Sequence, residues 1–131
     1  MGKAKIRWAR EPKKKDFDAA AAYLCLVFPE SRARRLVARL RRASTVEMKP
    51  KDLERASGEK LLPPDDPEVS SKPRKSVRKD PLTPVLLVRG DVTAGRPLLI
   101  ADGYHRICAS YHVDRDAPIP CRIVDVDGAQ P

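Results

Sequence analysis

Residues 96–124, RPLLIADGYHRICASYHVDRDAPIPCRIV, decide how the chain folds. Leu98, Leu99 and Ile100 form an apolar run of strand length, which Asp102-Gly103 breaks at once; glycine permits a backbone conformation that other residues resist. Ile107, Cys108 and Tyr111 then recur at helical spacing, and 119–124 returns to a strand pattern. The stretch therefore reads as strand, sharp turn, short helix, loop, strand. The helix opens with His105 and Arg106 in its first turn, where positive charge opposes the helix dipole at a cost of about 0.3–1 kcal/mol. An anion bound there removes the conflict, because backbone N–H groups, a guanidinium and an imidazole then converge on it, as in phosphate binding at helix starts. The competing reading has Asp102 cap the helix and pair with Arg106 four residues on, leaving His105 a solvated surface residue.

Moving outward, Val85, Leu86, Leu87 and Val88 make a continuous apolar run, the pattern of a strand over 84–88 with both faces covered. The turn at 90–95 leads into the strand over 98–101, so the two are expected to pair as a hairpin with a long loop. Asp65-Asp66-Pro67-Glu68 signals a helix start running through Val69 and Ser70, and Pro73 is expected to divide that helix, with a second piece over 74–79. Leu61-Leu62 before Pro63-Pro64 reads as a brief extended piece. Pro50 and Gly58 bracket a short helix over 50–57. A helix over 31–42 carries Ala33, Leu36, Val37 and Leu40 as its apolar stripe and six arginines elsewhere on its surface. Another over 16–28 takes Asp16 as its cap and Phe17, Ala21, Leu24, Cys25 and Phe28 as its apolar face before Pro29 stops it. The short break at Pro29-Glu30 predicts a helical hairpin packed against the sheet.

A chain of 131 residues suffices for one domain with a real core. Cys25, Cys108 and Cys121 are odd in number and scattered, which predicts reduced thiols serving as small core residues. No apolar run has the length of a membrane span and the N-terminal stretch lacks the apolar region of a signal peptide, so the expectation is a cytoplasmic protein with no membrane association. The formal charge of +9 and pI near 9.8 point to an anionic partner. Lys3, Lys5, Arg7, Arg10, Lys13, Lys14 and Lys15 make residues 1–15 a basic arm, read either as a phosphate contact or as a solvated tail. Arg34, Arg35 and Arg39 are the candidate nucleic-acid contacts of the arginine-rich helix. The alternative for them is a solvated face, since no Asn or Gln is interleaved to read bases.

The run LLIADGYHRICAS over 98–110, together with IPCRIV over 119–124, resembles the signature of the ParB/sulfiredoxin-like superfamily, in which a strand runs into a Gly-x-His-Arg or Gly-Glu-Arg-Arg turn and then a helix. The resemblance implies an α/β (α+β) fold with a small mixed sheet over 59–124, preceded by a helical extension over 16–58 and followed by a tail over 125–131. It also implies a nucleotide or phosphate pocket at the turn, held by Gly103, His105 and Arg106, with Asp102 orienting His105 or capping the helix. The superfamily's Asp-Pro-x-Val-x-Ser helix maps onto Asp66, Pro67, Val69 and Ser70 or Ser71, which with Lys75 and Tyr104 would line that pocket. The implied ligand is ATP or CTP, with Mg²⁺ where it is a triphosphate. Two departures narrow the chemistry. Tyr104 stands where sulfiredoxins carry their catalytic cysteine, and His105 stands where partition proteins carry a glutamate.

Other chemistry has weaker support. His105, Cys108 and His112 fall near one helical stripe with Cys121 on a neighbouring strand, but the closely spaced ligand pairs of structural zinc sites are missing, so no metal is expected. No serine has a paired base at recognisable spacing. Four functions remain open: binding of a phosphate-bearing ligand, a DNA-binding module using the arm and the arginine-rich helix, a phosphoryl-transfer or nuclease-type enzyme, and a protein-interaction partner with a regulatory role.

Overall fold

The computed structural model describes residues 5–127. The elements run α1 (Lys14–Val27), α2 (Glu30–Arg42), β1 (Val46–Met48), α3 (Pro50–Ser57), α4 (Pro67–Arg78), β2 (Val85–Val88), β3 (Leu99–Asp102), α5 (Tyr104–Asp114) and β4 (Ile119–Val124). The strands form one mixed sheet in the order β1-β4-β2-β3. β2 runs parallel to β4, with Val85 opposite Cys121, and antiparallel to β3, with Leu87 opposite Ile100; β1 is antiparallel to β4. This is an α+β fold with an N-terminal helical hairpin.

The apolar run in β2 follows from its central position. Successive side chains of a strand point to opposite faces, and both faces are covered. Leu86 and Val88 pack with Phe17, Leu24, Leu36 and Leu40 of the α1–α2 hairpin, whereas Val85 and Leu87 pack with Leu53 of α3 and Ile107 of α5. Each such side chain, fully withdrawn from water, contributes about 1.5–3 kcal/mol. The hairpin is thus one of two helical layers, and the segments 16–58 and 59–124 share a core.

Several local expectations change. β1 had no counterpart in the sequence reading; three residues are too few for an alternating pattern to register, and it is held by its pairing with β4. Residues 5–15 are a docked segment instead of an arm. Trp8 bridges to Leu82, Ala9 N–H donates to Leu82 O at 2.7 Å, Leu82 N–H donates to Arg7 O at 2.8 Å, and the Arg7 backbone N–H and Nε donate to Ser76 Oγ and O, each at 3.0 Å. Lys3 lies outside the described residues. At the other end Asp125, expected in a tail, pairs with Arg89 at 2.6 Å and Val126 packs on the α1–α2 cluster; residues 128–131 lie outside the description. Pro73 does not divide α4, because burying Val69 against Cys108 and Ala109 of α5 outweighs one missing helical hydrogen bond. Cys25 is exposed on α1 instead of buried, while Cys108 and Cys121 are core residues; burial raises both of their pKa values, that of Cys121 to about 12. Among the described residues no helix is long and apolar enough to cross a membrane.

Candidate functional site

β3 ends at Asp102 and α5 starts at Tyr104, so the chain must reverse at Gly103, which adopts φ +109°. A Cβ at this position would lie 3.0 Å from both Val85 Cγ2 and Arg106 Nη2. Val85 is fully buried and cannot move aside. Glycine is therefore required by conformation and by space, and Gly103→Ala is expected to cost about 1–3 kcal/mol of stability. A chemical-denaturation midpoint equal to that of the parent protein would contradict this.

Arg106 folds back beneath the turn and is buried. Its Nη1 donates to Thr83 O at 2.8 Å and to Thr83 Oγ1, its Nη2 donates to Asp102 Oδ2 at 2.5 Å, and Asp16 Oδ1 lies 3.6 Å from Nη1. Asp16 stands in the first turn of α1, where its Oδ2 accepts the Lys13 backbone N–H at 2.8 Å instead of serving as the N-cap itself. One guanidinium thus ties together the start of α1, the entry to β2, the end of β3 and α5. Three of its five N–H groups are thus committed to oxygens of the protein, which makes Arg106 a fixing point of the turn as well as part of the cleft lining. Asp102 pairs with it and does not cap α5, whose N-terminus has no side-chain cap. Burial pushes the Asp102 carboxyl up, the Arg106 charge opposes that shift and the neighbouring Asp16 adds to it.

The turn opens into a cleft of about 450 Å³. Three segments line it: Lys13, Lys15, Asp16 and Ala19 at the start of α1; Lys72, Lys75 and Lys79 along and just past α4; and Asp80–Thr83 leading into β2. Asp102, Gly103, Tyr104, His105 and Arg106 complete the lining. Five lysines face three aspartates, and Arg106 already balances part of the aspartate charge. His105 packs edge-on against Tyr104, with ring centroids 5.4 Å apart. The Tyr104 hydroxyl donates to Lys60 O, and burial, with the Cys108 thiol beside it, pushes its pKa up to about 12, so it remains a proton donor.

The cleft gathers Asp102, Gly103, Tyr104, His105, Arg106 and Lys75, as the sequence reading placed them. It does not gather the others. Asp66 caps α4, accepting from Glu68 N at 3.0 Å and Val69 N at 3.1 Å. The Ser70 and Ser71 hydroxyls donate to carbonyls of their own helix, Pro67 O at 3.4 Å and Glu68 O at 3.1 Å. These three residues are correct as helix chemistry and wrong as cleft lining. On α2, Arg34 pairs with Glu30 at 2.5 Å and Arg39 reaches Asp127 O at 3.5 Å; neither they nor Arg35 line the cleft. The sequence reading missed Asp16, Thr83, Lys13, Lys15 and Lys79 as site residues. Lys72, Lys75 and Lys79 at i, i+3 and i+7 carried a readable signal, one helical stripe. Lys13 and Lys15 were visible within the basic run over 1–15, but only the packing of α1 against β3 brings them to this cleft.

The zinc-like set is dispersed. His112 Nε2 lies 2.8 Å from Leu62 O, and among the described residues no group of three or more His, Cys, Asp and Glu side chains is placed to hold a metal ion. Comparison with known proteins returns no matching family model, no matching curated sequence and no matching solved structure.

Proposed function

We propose that the cleft at the β3–α5 turn binds a phosphate-bearing ligand, a nucleotide such as ATP or CTP being the form implied by the resemblance to the ParB/sulfiredoxin-like superfamily, with Mg²⁺ accompanying a triphosphate. The observation that carries this reading is the convergence of five lysines from two separate segments on one cleft at a helix start with no side-chain cap. Lysine ammonium groups and first-turn N–H groups both favour anions. In this reading His105 and the lysines contact the ligand, and Arg106 is a positioning residue that fixes the turn presenting them.

The nucleic-acid reading has less behind it. The N-terminal segment that would act as an arm is docked along β2's entry through Arg7, Trp8 and Ala9. On α2, Arg34 is paired and Arg41 lies over the Phe17 ring at 4.6 Å.

The test is a melting experiment with orthophosphate, ATP and CTP, the nucleotides with and without Mg²⁺. A ligand that binds only the folded state stabilises it by about 2.7 kcal/mol at a hundredfold excess over Kd, roughly 10 °C in Tm for a domain of this size. The expected result is such a rise, lost in the charge reversal Lys75→Glu at an exposed position, each shift being read against the same protein's ligand-free Tm. No shift with any of the anions at millimolar concentration would overturn the proposal.

A further inference from the structure

The cations of the cleft are arranged in a way that bears on the length of the anion. Lys72, Lys75 and Lys79 succeed one another at i, i+3 and i+7. Lys79 follows the last residue of α4, but its backbone N–H still donates to Lys75 O at 2.9 Å, so the helical line continues through it. At 1.5 Å per residue the stripe is about 10 Å long, and all three side chains line the cleft.

Like charges at helical spacing destabilise a helix by a few tenths of a kcal/mol per pair. Some helix cations are offset at i, i+4, Lys14 by Asp18 and Arg34 by Glu30. Within the stripe Lys72 is offset by Glu68 at 3.6 Å, and among the described residues no ion pair is formed by Lys75 or Lys79. Lys75 and Lys79 have Ser71, Lys72, Lys75 and Ser76 at the positions three and four residues before them, with no carboxylate among them. An orthophosphate spans about one step of such a line, whereas linked phosphates extend along it and meet successive lysines.

We infer that the cleft is a polyphosphate site, which holds a chain of linked phosphates along the Lys72–Lys75–Lys79 stripe and selects by their number, not by the group they carry. This rests on the phosphate-binding reading above and goes beyond it in naming the ligand class.

The experiment measures binding of orthophosphate, pyrophosphate, tripolyphosphate, AMP, ATP and CTP to the full chain by calorimetry at matched ionic strength. Affinity is expected to rise about tenfold with each added linked phosphate, the size of one charge-assisted contact. ATP, CTP and tripolyphosphate should agree within severalfold, and AMP should resemble orthophosphate. Lys79→Ala, at an exposed position, should weaken tripolyphosphate about tenfold and orthophosphate less than twofold. Tripolyphosphate binding no tighter than orthophosphate would overturn the inference while leaving the phosphate site standing. One nucleotide binding more than a hundredfold tighter than tripolyphosphate would overturn it in favour of base selection. Binding of none of the six would remove the phosphate-binding reading itself.

Discussion

Replacing Arg106 with alanine is expected to lower the stability of the fold by about 3–5 kcal/mol, a large part of the total for a domain of this size. The loss does not come mainly from the missing contacts. Asp102 and Asp16 both face this guanidinium, and the Asp16 and Arg106 side chains retain only 7% and 9% of their exposure, so its removal leaves two carboxylates together with little access to water. Thr83 O and Oγ1 lose their donor at the same time. The pH dependence identifies the cause. Burial and Asp16 already push the Asp102 carboxyl above its ordinary value of 3.8, and Arg106 is what opposes them. In the variant the folded state therefore holds a proton more tightly than the unfolded chain does. Its stability should rise as pH falls through the window between the raised value and 3.8. Denaturant unfolding at pH 8 and pH 5 measures this, and the deficit of Arg106→Ala should shrink at pH 5. Adding Asp102→Asn, which removes one of the two carboxylates, should recover part of the loss at pH 8. A deficit that is the same at both pH values and unaffected by the second substitution would mean that the guanidinium acts through packing alone.

The second large effect is expected at Arg122, a buried residue of β4. Its Nη1 donates to Leu40 O at 3.2 Å and Arg41 O at 2.8 Å, the carbonyls that end α2, and its Nε donates to Thr45 Oγ1 at 3.2 Å. A cation at a helix C-terminus complements the dipole and satisfies its last carbonyls; Leu40 O also accepts the Ala43 N–H at 3.3 Å. Arg122→Ala should therefore cost about 2–3 kcal/mol, the range for hydrogen bonds to a charged group. Nη2 also pairs with Glu11, but the Glu11 side chain is 77% exposed, so Glu11→Ala should cost less than about 1 kcal/mol. Equal losses in the two variants, read from denaturation midpoints, would show that the ion pair and not the capping of α2 is what matters.

The two arginines also mark where the sequence stops being informative. Apolar stripes and runs recovered α1, α2, α5 and the three longer strands to within a few residues, because the chain cannot leave them in water, and Pro50 and Gly58 marked α3. Proline and glycine placed most of the breaks. The turn at Asp102-Gly103 and the first-turn placement of His105 and Arg106 were also legible. The direction of the Arg106 side chain was not, since Asp16 lies ninety residues away in sequence and nothing local predicts that α1 packs against β3. Arg122 sits within an apolar strand pattern, and the helix end it caps comes from the other half of the chain. Lys13 and Lys15 illustrate the same limit: their charge was visible as part of a basic run, but their place in the cleft depends on tertiary packing. Asp66, Ser70 and Ser71 show the reverse error, since local helix chemistry fully occupies side chains that the family resemblance assigned to a ligand.

The proposed phosphate anion sits in the cleft formed by α1, α4 and the start of α5. The most direct test is an amide NMR titration with pyrophosphate, which has no ring to shift signals at a distance. The largest changes are expected at Gly103, Tyr104 and His105 and in α4 around Lys75 and Lys79. Changes confined to the arginine-rich α2, with the Gly103–His105 amides unmoved at saturation, would contradict it.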